Sequence, residues 1–472
     1  MNVIFLMDDQ HNHRCLSRNG HPMVKTPNLD ALAERGVYFR NFFSCSGICG
    51  PSRTSYFTGN FLRTHDQGSN NGDMRRKFPS ILTELKKAGY YTFQSGKNHL
   101  PPAVADDFDE MHTMATYSRY CKDKGIQEVA RTPERKTLFD SCASAIPESE
   151  QNETWTADRA IDFLKSSKAK DNKFFMWVSF QRPHAPHTPP PSYDEMYNPD
   201  DFEIDWDEYE AFENSRMQNR PMIEDFWKLG TVRTDPRPFQ KAVCRYLALV
   251  TFIDAQIGRI LETLRDEGLE DETLIFFGPD HGDWAGRYGQ LGKNLPGYDE
   301  ILHIPFIWVD PKRQGDCGRE VYGLCQNTDV MPSLLERLFL EVPPTVQGQS
   351  FLPHLEGYPL EQREEVYAET AMEKTIRTRD WKLNFFVRHP ERGQLFKMGA
   401  KPDEIVNYWD DPAYAHIKHD LLTRLTAWMV RCEQPQSTCP DWEAHIDTRW
   451  YRWMNEAKNG IEIEERAPKN ER

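Results

Sequence analysis

A chain of 472 residues can bury a large core and has room for roughly two or three domains. With 38% hydrophobic and 28% charged residues it has the composition of an ordinary soluble globular protein, and no apolar run reaches the ~18 residues a membrane helix requires. A formal charge of −15 excludes nonspecific nucleic-acid binding and supplies no basic arm for an anionic membrane.

In chain order, the opening MNVIFLMDDQ is apolar for too few residues to be a signal peptide and lacks a basic leader. The expected location is therefore cytoplasmic, or secreted or periplasmic if a leader has been removed. Residues 3–7 read as a buried strand, being a short apolar run with β-branched and aromatic members. A helix is predicted over 27–35, with Thr26 as cap, Pro27 at the first position and Gly36 as stop. Next comes Cys49-Gly50-Pro51-Ser52-Arg53, which reads either as a thiol in a Pro-induced turn leading into a helix or as a reactive group. A helix over 80–88 precedes a strand over 91–94, and a helix over 156–166 precedes a strand over 174–180. The Pro- and acid-rich stretch 189–235 reads as a surface excursion with short helices. A long helix over 239–267 then leads to a strand over 273–277. After about residue 350, strand-like runs at 366–369, 375–377 and 381–386 suit a small antiparallel sheet, followed by a helical pattern from 414.

This alternation predicts an α/β protein with a large, mostly parallel sheet flanked by helices on both faces. The expected division is a catalytic domain over 1–350 and a smaller C-terminal α+β subdomain with a tail over 351–472. Ten cysteines at irregular spacings, without a CxxC pair, exclude a small disulfide framework and a zinc ribbon, so most of them read as buried thiols.

The chemistry gathers in the residues directly after each predicted parallel strand. The first strand leads to Asp8 and Asp9, the second to Lys97 and His99, the third to His184, and the fourth to Asp280 and His281 with Lys293 further on. In open α/β sheets the carboxyl ends of the strands form the ligand crevice, so these groups should meet at one edge. Each has a plain alternative: paired Asp residues cap turns, and a lone cysteine usually packs. Their company is what argues for a site. Asp8, Asp9 and Asp280 offer hard oxygens suited to Ca²⁺ or Mg²⁺, and the His281 nitrogen makes Mn²⁺ a competitor. Around one cation, Arg53, Lys97 and Lys293 would bind a tetrahedral oxyanion.

At this point the chain resembles the formylglycine-dependent sulfatases of the alkaline phosphatase superfamily. The resemblance runs from NVIFLMDDQ and KTPNLDALAERGVYFRNFF through CGPSRTSYFTG, GKNHL, RPHAP and DHGD…GKN to IRTRDWKLNFF…LFKM…PDEIVNYWDDP. It implies that a separate maturation enzyme oxidises Cys49 to formylglycine. It implies that Asp8, Asp9, Asp280 and His281 hold one divalent metal, with the modified Cys49 as a further ligand. Arg53 would orient the formylglycine, Lys97 and Lys293 would bind sulfate oxygens, and His99 would hydrogen-bond the hydrated aldehyde. His184 would act as general acid at the bridging ester oxygen, and Asn70, on the loop after the motif, would reach the substrate.

Many members of that family carry Asn at the place of His281, so calcium is the first expectation and manganese or magnesium the alternatives. Phosphonate monoester hydrolases share the formylglycine motif and the Asp-His pair, but resemble Tyr-x-Thr where this chain has Lys97-Asn98-His99; that difference favours a sulfatase. A noncatalytic anion-binding relative would lack a core residue, and none is missing. The expected substrate is a small sulfated sugar, aryl or alkyl ester. The acidic run 198–214 would repel a heavily sulfated polymer if it lines the entrance, and otherwise is a solvated loop. The aromatic and Arg-rich segment 445–460 covers the pocket, joins a neighbouring subunit of a homo-oligomer or packs the last helix.

Overall fold

Residues Asn2–Asp9 form β1, buried along its whole length. In the computed structural model, which describes residues 1–70, 72–74, 77–126, 141–219, 232, 235–293, 297–355, 363–399 and 403–433, this strand lies near the centre of an eight-stranded sheet. Its side chains alternate between two cores: Val3, Phe5 and Met7 enter one, and Ile4 and Leu6 enter the other. A strand apolar at every position is what burial on both faces demands.

The same sheet contains β2 (Val37–Phe39), β4 (Tyr91–Gly96), β5 (Glu110–Thr113), β6 (Phe174–Pro183), β7 (Thr273–Phe277), β8 (Phe306–Val309) and β9 (Arg319–Val321). Their order is β5-β4-β6-β1-β7-β8-β2-β9. All neighbours are parallel except that β8 runs antiparallel to both β7 and β2. The first core is closed by the helices Cys49–Thr58, Ile81–Lys87 and Val330–Arg337, and the second by Pro27–Glu34, Asn152–Lys165 and Arg237–Asp266. The short strands β3 (Phe42–Phe43) and β10 (Cys325–Gln326) pair separately.

Beyond this lies an antiparallel sheet of β11 (Glu365–Glu369), β12 (Glu373–Thr378), β13 (Trp381–Phe386) and β14 (Gly393–Lys397). The helix Ala415–Glu433 packs on it through Leu421, Leu425 and Trp428. The expected fold class is thus the observed one. Several element bounds differ: the helix expected over 156–166 starts at Asn152, and the strand expected over 174–180 runs on to Pro183.

The acidic excursion differs in kind. It contains a fourteen-residue helix, Trp206–Asn219, whose Phe212 is 1% exposed and packs on Trp284, Tyr288 and Tyr298. That stretch therefore supports the loop between His281 and Lys293 as well as facing solvent. Residues 220–231 and 233–234 of the excursion lie outside the described residues, as do Cys439 and the segment 445–460. The other nine cysteines are free thiols, and among the described residues no helix is long and apolar enough to cross a membrane.

Candidate active site

Strand register sets the site. Met7 pairs with Ser179, Ser179 with Gly96, and Leu6 with Phe277, so β1, β4, β6 and β7 end at one level. The residues just beyond them converge there. Gly96 is required by close approach: its φ is 93° and a Cβ would collide with the Ser179 carbonyl. The next strand end is strained without glycine, since Gln10 adopts φ 74° and its backbone N–H donates to Asp280 Oδ1 at 3.1 Å.

Cys49 opens the helix Cys49–Thr58 and is fully buried. Its Sγ lies 2.9 Å from Lys293 Nζ, 3.3 Å from His281 Nε2, 3.8 Å from Asp9 Oδ1 and 3.9 Å from Lys97 Nζ. Burial and Asp9 push this thiol up, but Lys293, Lys97 and His281 outweigh them and hold it well below its ordinary value. The neighbouring Gly50 N–H donates to Asn70 Oδ1 at 2.8 Å, so the Asn70 oxygen is engaged in holding the first turn of this helix.

Arg53, one turn on, is 0% exposed. Its Nη2 donates to Asp9 Oδ2 at 2.7 Å and its Nε to Asp280 Oδ2 at 2.9 Å. Its Nη1 donates to Ser179 Oγ at 2.8 Å and to the Lys97 carbonyl at 3.0 Å. The guanidinium therefore sits between two carboxylates and ties four strand ends together. Lys97 Nζ meets Asp9 Oδ2 at 2.6 Å. Burial raises Asp9, yet Lys97, His184, Arg53 and Lys293 together hold it well below the usual carboxylate range. Asp280 goes the other way, raised by burial and by Asp9, against His281 and Arg53.

Asp9, Cys49, Asp280 and His281 each offer a ligand atom, and these atoms lie within 4.8 Å of one another. His281 Nδ1 donates to the Gly282 carbonyl at 3.0 Å, because a carbonyl can only accept, and this directs Nε2 toward Cys49 Sγ at 3.3 Å and Lys293 Nζ at 3.0 Å. Asp8 is not in that group but is buried beside it, and its Oδ1 has no hydrogen-bond partner among the described residues. An orphan carboxylate oxygen in a dry site needs a cation or a proton. Three carboxylates and one imidazole nitrogen fit Ca²⁺, Mg²⁺ or Mn²⁺.

Of the two remaining histidines, His184 lies among the same charges. His184 Nδ1 donates to the Ala185 carbonyl at 2.6 Å, and burial, with Lys293 and Lys97, pulls the ring down to about 3 against the opposing pull of Asp9. Arg182 holds this turn by donating to the carbonyls of His184 and Pro186 and to Thr188 Oγ1. His99 has φ 61° and a buried Nδ1 without a partner among the described residues, and its carbonyl accepts from Gln67 Nε2 at 3.2 Å. Gln10, His11, Ser179, Arg182 and Asp283 are site-building residues that sequence reasoning missed. Gln10 Nε2 donates to Asp283 Oδ2, and Asp283 Oδ1 accepts the Ala285 and Gly292 N–H groups at 2.7 and 3.0 Å. The position of Gln10 and His11 directly after the Asp pair was the one available signal.

Known proteins of similar sequence and fold fall within the alkaline phosphatase superfamily, as this sheet edge suggests. The sulfatase family profile matches residues 1–338, and the profile described as N-sulphoglucosamine sulphohydrolase, C-terminal, matches 286–431. The chain belongs to the sulfatase family and is a sulfuric ester hydrolase. It is 27% identical to the arylsulfatase of Clostridium perfringens, over 88% of this chain and 91% of that one. It is 26% identical to the multifunctional alkaline phosphatase superfamily protein PehA of Trinickia caryophylli, over 91% and 95%. In fold it is similar to the phosphonate monoester hydrolase of Agrobacterium radiobacter, with a TM-score of 0.78 at 24% identity, covering 91% of this chain and 96% of that one.

Proposed function

We propose that the protein hydrolyses the monosulfate ester of a small sugar, phenol or alcohol, using a formylglycine made from Cys49 by a separate maturation enzyme. A divalent cation, calcium by first expectation, would be held by Asp8, Asp9, Asp280 and His281. The observation that carries this reading is the seat of Cys49 Sγ, 2.9 Å from Lys293 Nζ and 3.3 Å from His281 Nε2 at the edge of a metal-ligating group. When bound, the cation would lower the pKa of a hydroxyl on residue 49 and polarise the sulfate. In this reading residues 1–350 carry the chemistry and 351–472 shape its surroundings.

The residue types suit the reaction. A thiol attacking sulfur would keep the sulfuryl group. Hydrated formylglycine carries two hydroxyls on one carbon and avoids that end. One hydroxyl releases its proton to solvent and its oxygen attacks sulfur as the sulfur–oxygen bond to the leaving alcohol breaks, and His184 gives that alcohol its proton. Lys97 and Lys293 neutralise the sulfate oxygens. The second hydroxyl then yields its proton to His99, the carbon–oxygen bond to sulfate breaks, and water rehydrates the aldehyde. His184 is low because burial, Lys293 and Lys97 disfavour its charge. An anionic ester between it and those lysines offsets them and lifts the ring toward a donating state. Its Nδ1 is already given to Ala185, so Nε2 is the proton-delivering nitrogen.

If the acidic excursion lines the entrance, the exposed side chains of Glu203 and Asp205 would favour a singly charged ester over a polyanion. A second reading, phosphonate monoester hydrolysis, is favoured by His281 beside Asp280 and by the fold shared with the phosphonate monoester hydrolase of Agrobacterium radiobacter. Turnover of an aryl sulfate against a phosphonate monoester, on the matured protein, separates them. Preference for the sulfate is expected, and preference for the phosphonate would overturn the first reading. Within the first reading, His184→Ala should slow alkyl sulfates far more than aryl sulfates, whose leaving groups need no proton.

A further inference from the structure

Asp8 owes its orientation to a neighbour three residues on. His11 is 0% exposed, with Nδ1 2.7 Å from Asp8 Oδ2 and Nε2 2.9 Å from the Cys15 carbonyl. The edge of the ring system is closed by Phe277, at a centroid separation of 6.0 Å and 73°. A carboxyl group turns about a soft, two-fold torsion, so nothing in Asp8 itself decides which oxygen faces the site. Here one oxygen is pinned by His11, and the other is buried with no partner among the described residues. A backbone carbonyl can only accept, so Nε2 carries a hydrogen toward Cys15, and this tether fixes the plane of the ring.

We infer that His11 is a positioning residue for the divalent cation: it holds Asp8 Oδ2 against the Cys15 tether so that Oδ1 is presented as a preset ligand. The inference rests on the proposal that Asp8 is a metal ligand. Partners that orient a ligand in this way are typically worth about 10–100-fold in metal affinity, comparable to losing a ligand contact. The tether and the clamp can be separated chemically. An asparagine amide nitrogen falls near the place of Nδ1 and keeps the contact to Asp8, whereas a glutamine nitrogen falls near Nε2 and keeps only the contact to Cys15.

The experiment uses the full chain, stripped with a chelator and titrated with Ca²⁺ and then Mn²⁺, with binding read by calorimetry and by the metal-dependent shift in Tm. His11→Gln is expected to weaken binding by about 10–100-fold, and His11→Asn to stay within a few-fold of the parent. If His11→Asn loses as much as His11→Gln, the residue merely supports its turn and the inference fails. Undiminished binding in His11→Gln, alongside weakened binding in Asp8→Asn, overturns this inference alone. Undiminished binding in Asp8→Asn overturns the ligand assignment with it. Should His11→Gln not fold, as judged by circular dichroism, His11→Ala takes its place with the same outcomes.

Discussion

Two regions of this molecule bury dense charge, and they do it differently. At the sheet edge, Asp9 and Asp280 share Arg53, Asp9 also meets Lys97 and Asp8 meets His11, yet Asp8 Oδ1 is left without a partner among the described residues. At the junction with the C-terminal sheet, every carboxylate oxygen of three buried or half-buried acids is satisfied. Lys382 Nζ meets Asp299 Oδ1 at 2.7 Å and Glu404 Oε1 at 2.5 Å, while Arg377 takes Asp299 Oδ2 and the Asp299 N–H takes Glu404 Oε2. Glu369 is similarly closed by Lys374 and the Arg63 N–H. A saturated cluster holds two layers together, and an unsaturated one is prepared for something that arrives. Burial of charge does not by itself mark a site; an orphan carboxylate oxygen beside a group of possible metal ligands is the distinguishing feature here.

That contrast can be broken or sharpened by substitution. The largest effect is expected from Cys49→Ala, which should lower turnover of an aryl sulfate by about 10⁴–10⁶-fold while leaving the circular dichroism spectrum unchanged. Arg53→Met removes the cation shared by two buried carboxylates and should destabilise the metal-free protein by about 3–5 kcal/mol. Urea unfolding would measure this, and added divalent cation should restore part of it, because the cation replaces the lost positive charge. Lys382→Met should lose stability toward the lower end of that range, about 3 kcal/mol, with no recovery from the cation and with turnover per folded molecule within a few-fold of the parent. Cation rescue of Lys382→Met would erase the distinction between the two clusters.

The smallest effect is in pH dependence. Burial, followed by the charge of Asp299, pushes Glu404 up to about 7 from 4.5, against the pull of Lys382. The folded state therefore keeps a proton that the unfolded state has lost, and stability present below pH 4.5 is lost as pH rises through about 7. Glu404→Gln should flatten that decline, worth on the order of 2 kcal/mol in unfolding free energy. Asp299 acts in the opposite sense: Lys382 and Arg377 overcome burial and hold it far below 3.8, so its contribution fades only as pH falls through that low value. A decline unchanged in Glu404→Gln would place its origin elsewhere.

Much of the candidate site was legible because Asp8, Asp9, Lys97 and Asp280 lie at or within a few residues of the end of an apolar run. Asp8 and Asp9 end β1, and Asp280 comes three residues after β7, so recognising the strand located the residue. The sheet class came from the same runs. What stayed hidden was whatever depends on a torsion or on a partner distant in sequence. Ser179 sits inside the apolar run of β6, and only the fold brings its hydroxyl to Arg53. Gln10 contributes through a left-handed backbone that a non-glycine residue seldom adopts. The strands β2, β5, β8 and β9 are three or four residues long, too short for a periodicity to declare itself. Phe212 was hidden among acidic neighbours, although its ring packs on Trp284 and, with Ala211 and the Glu208–Arg287 ion pair, seats the excursion helix.

The most direct test joins chemistry at residue 49 to rate. Preparations with different degrees of maturation can be assayed with an aryl sulfate under saturating cation, while peptide mass spectrometry gives the fraction of Cys49 carried as the aldehyde. The account requires activity proportional to that fraction and vanishing at zero conversion. Equal turnover from protein in which residue 49 is wholly thiol would contradict it.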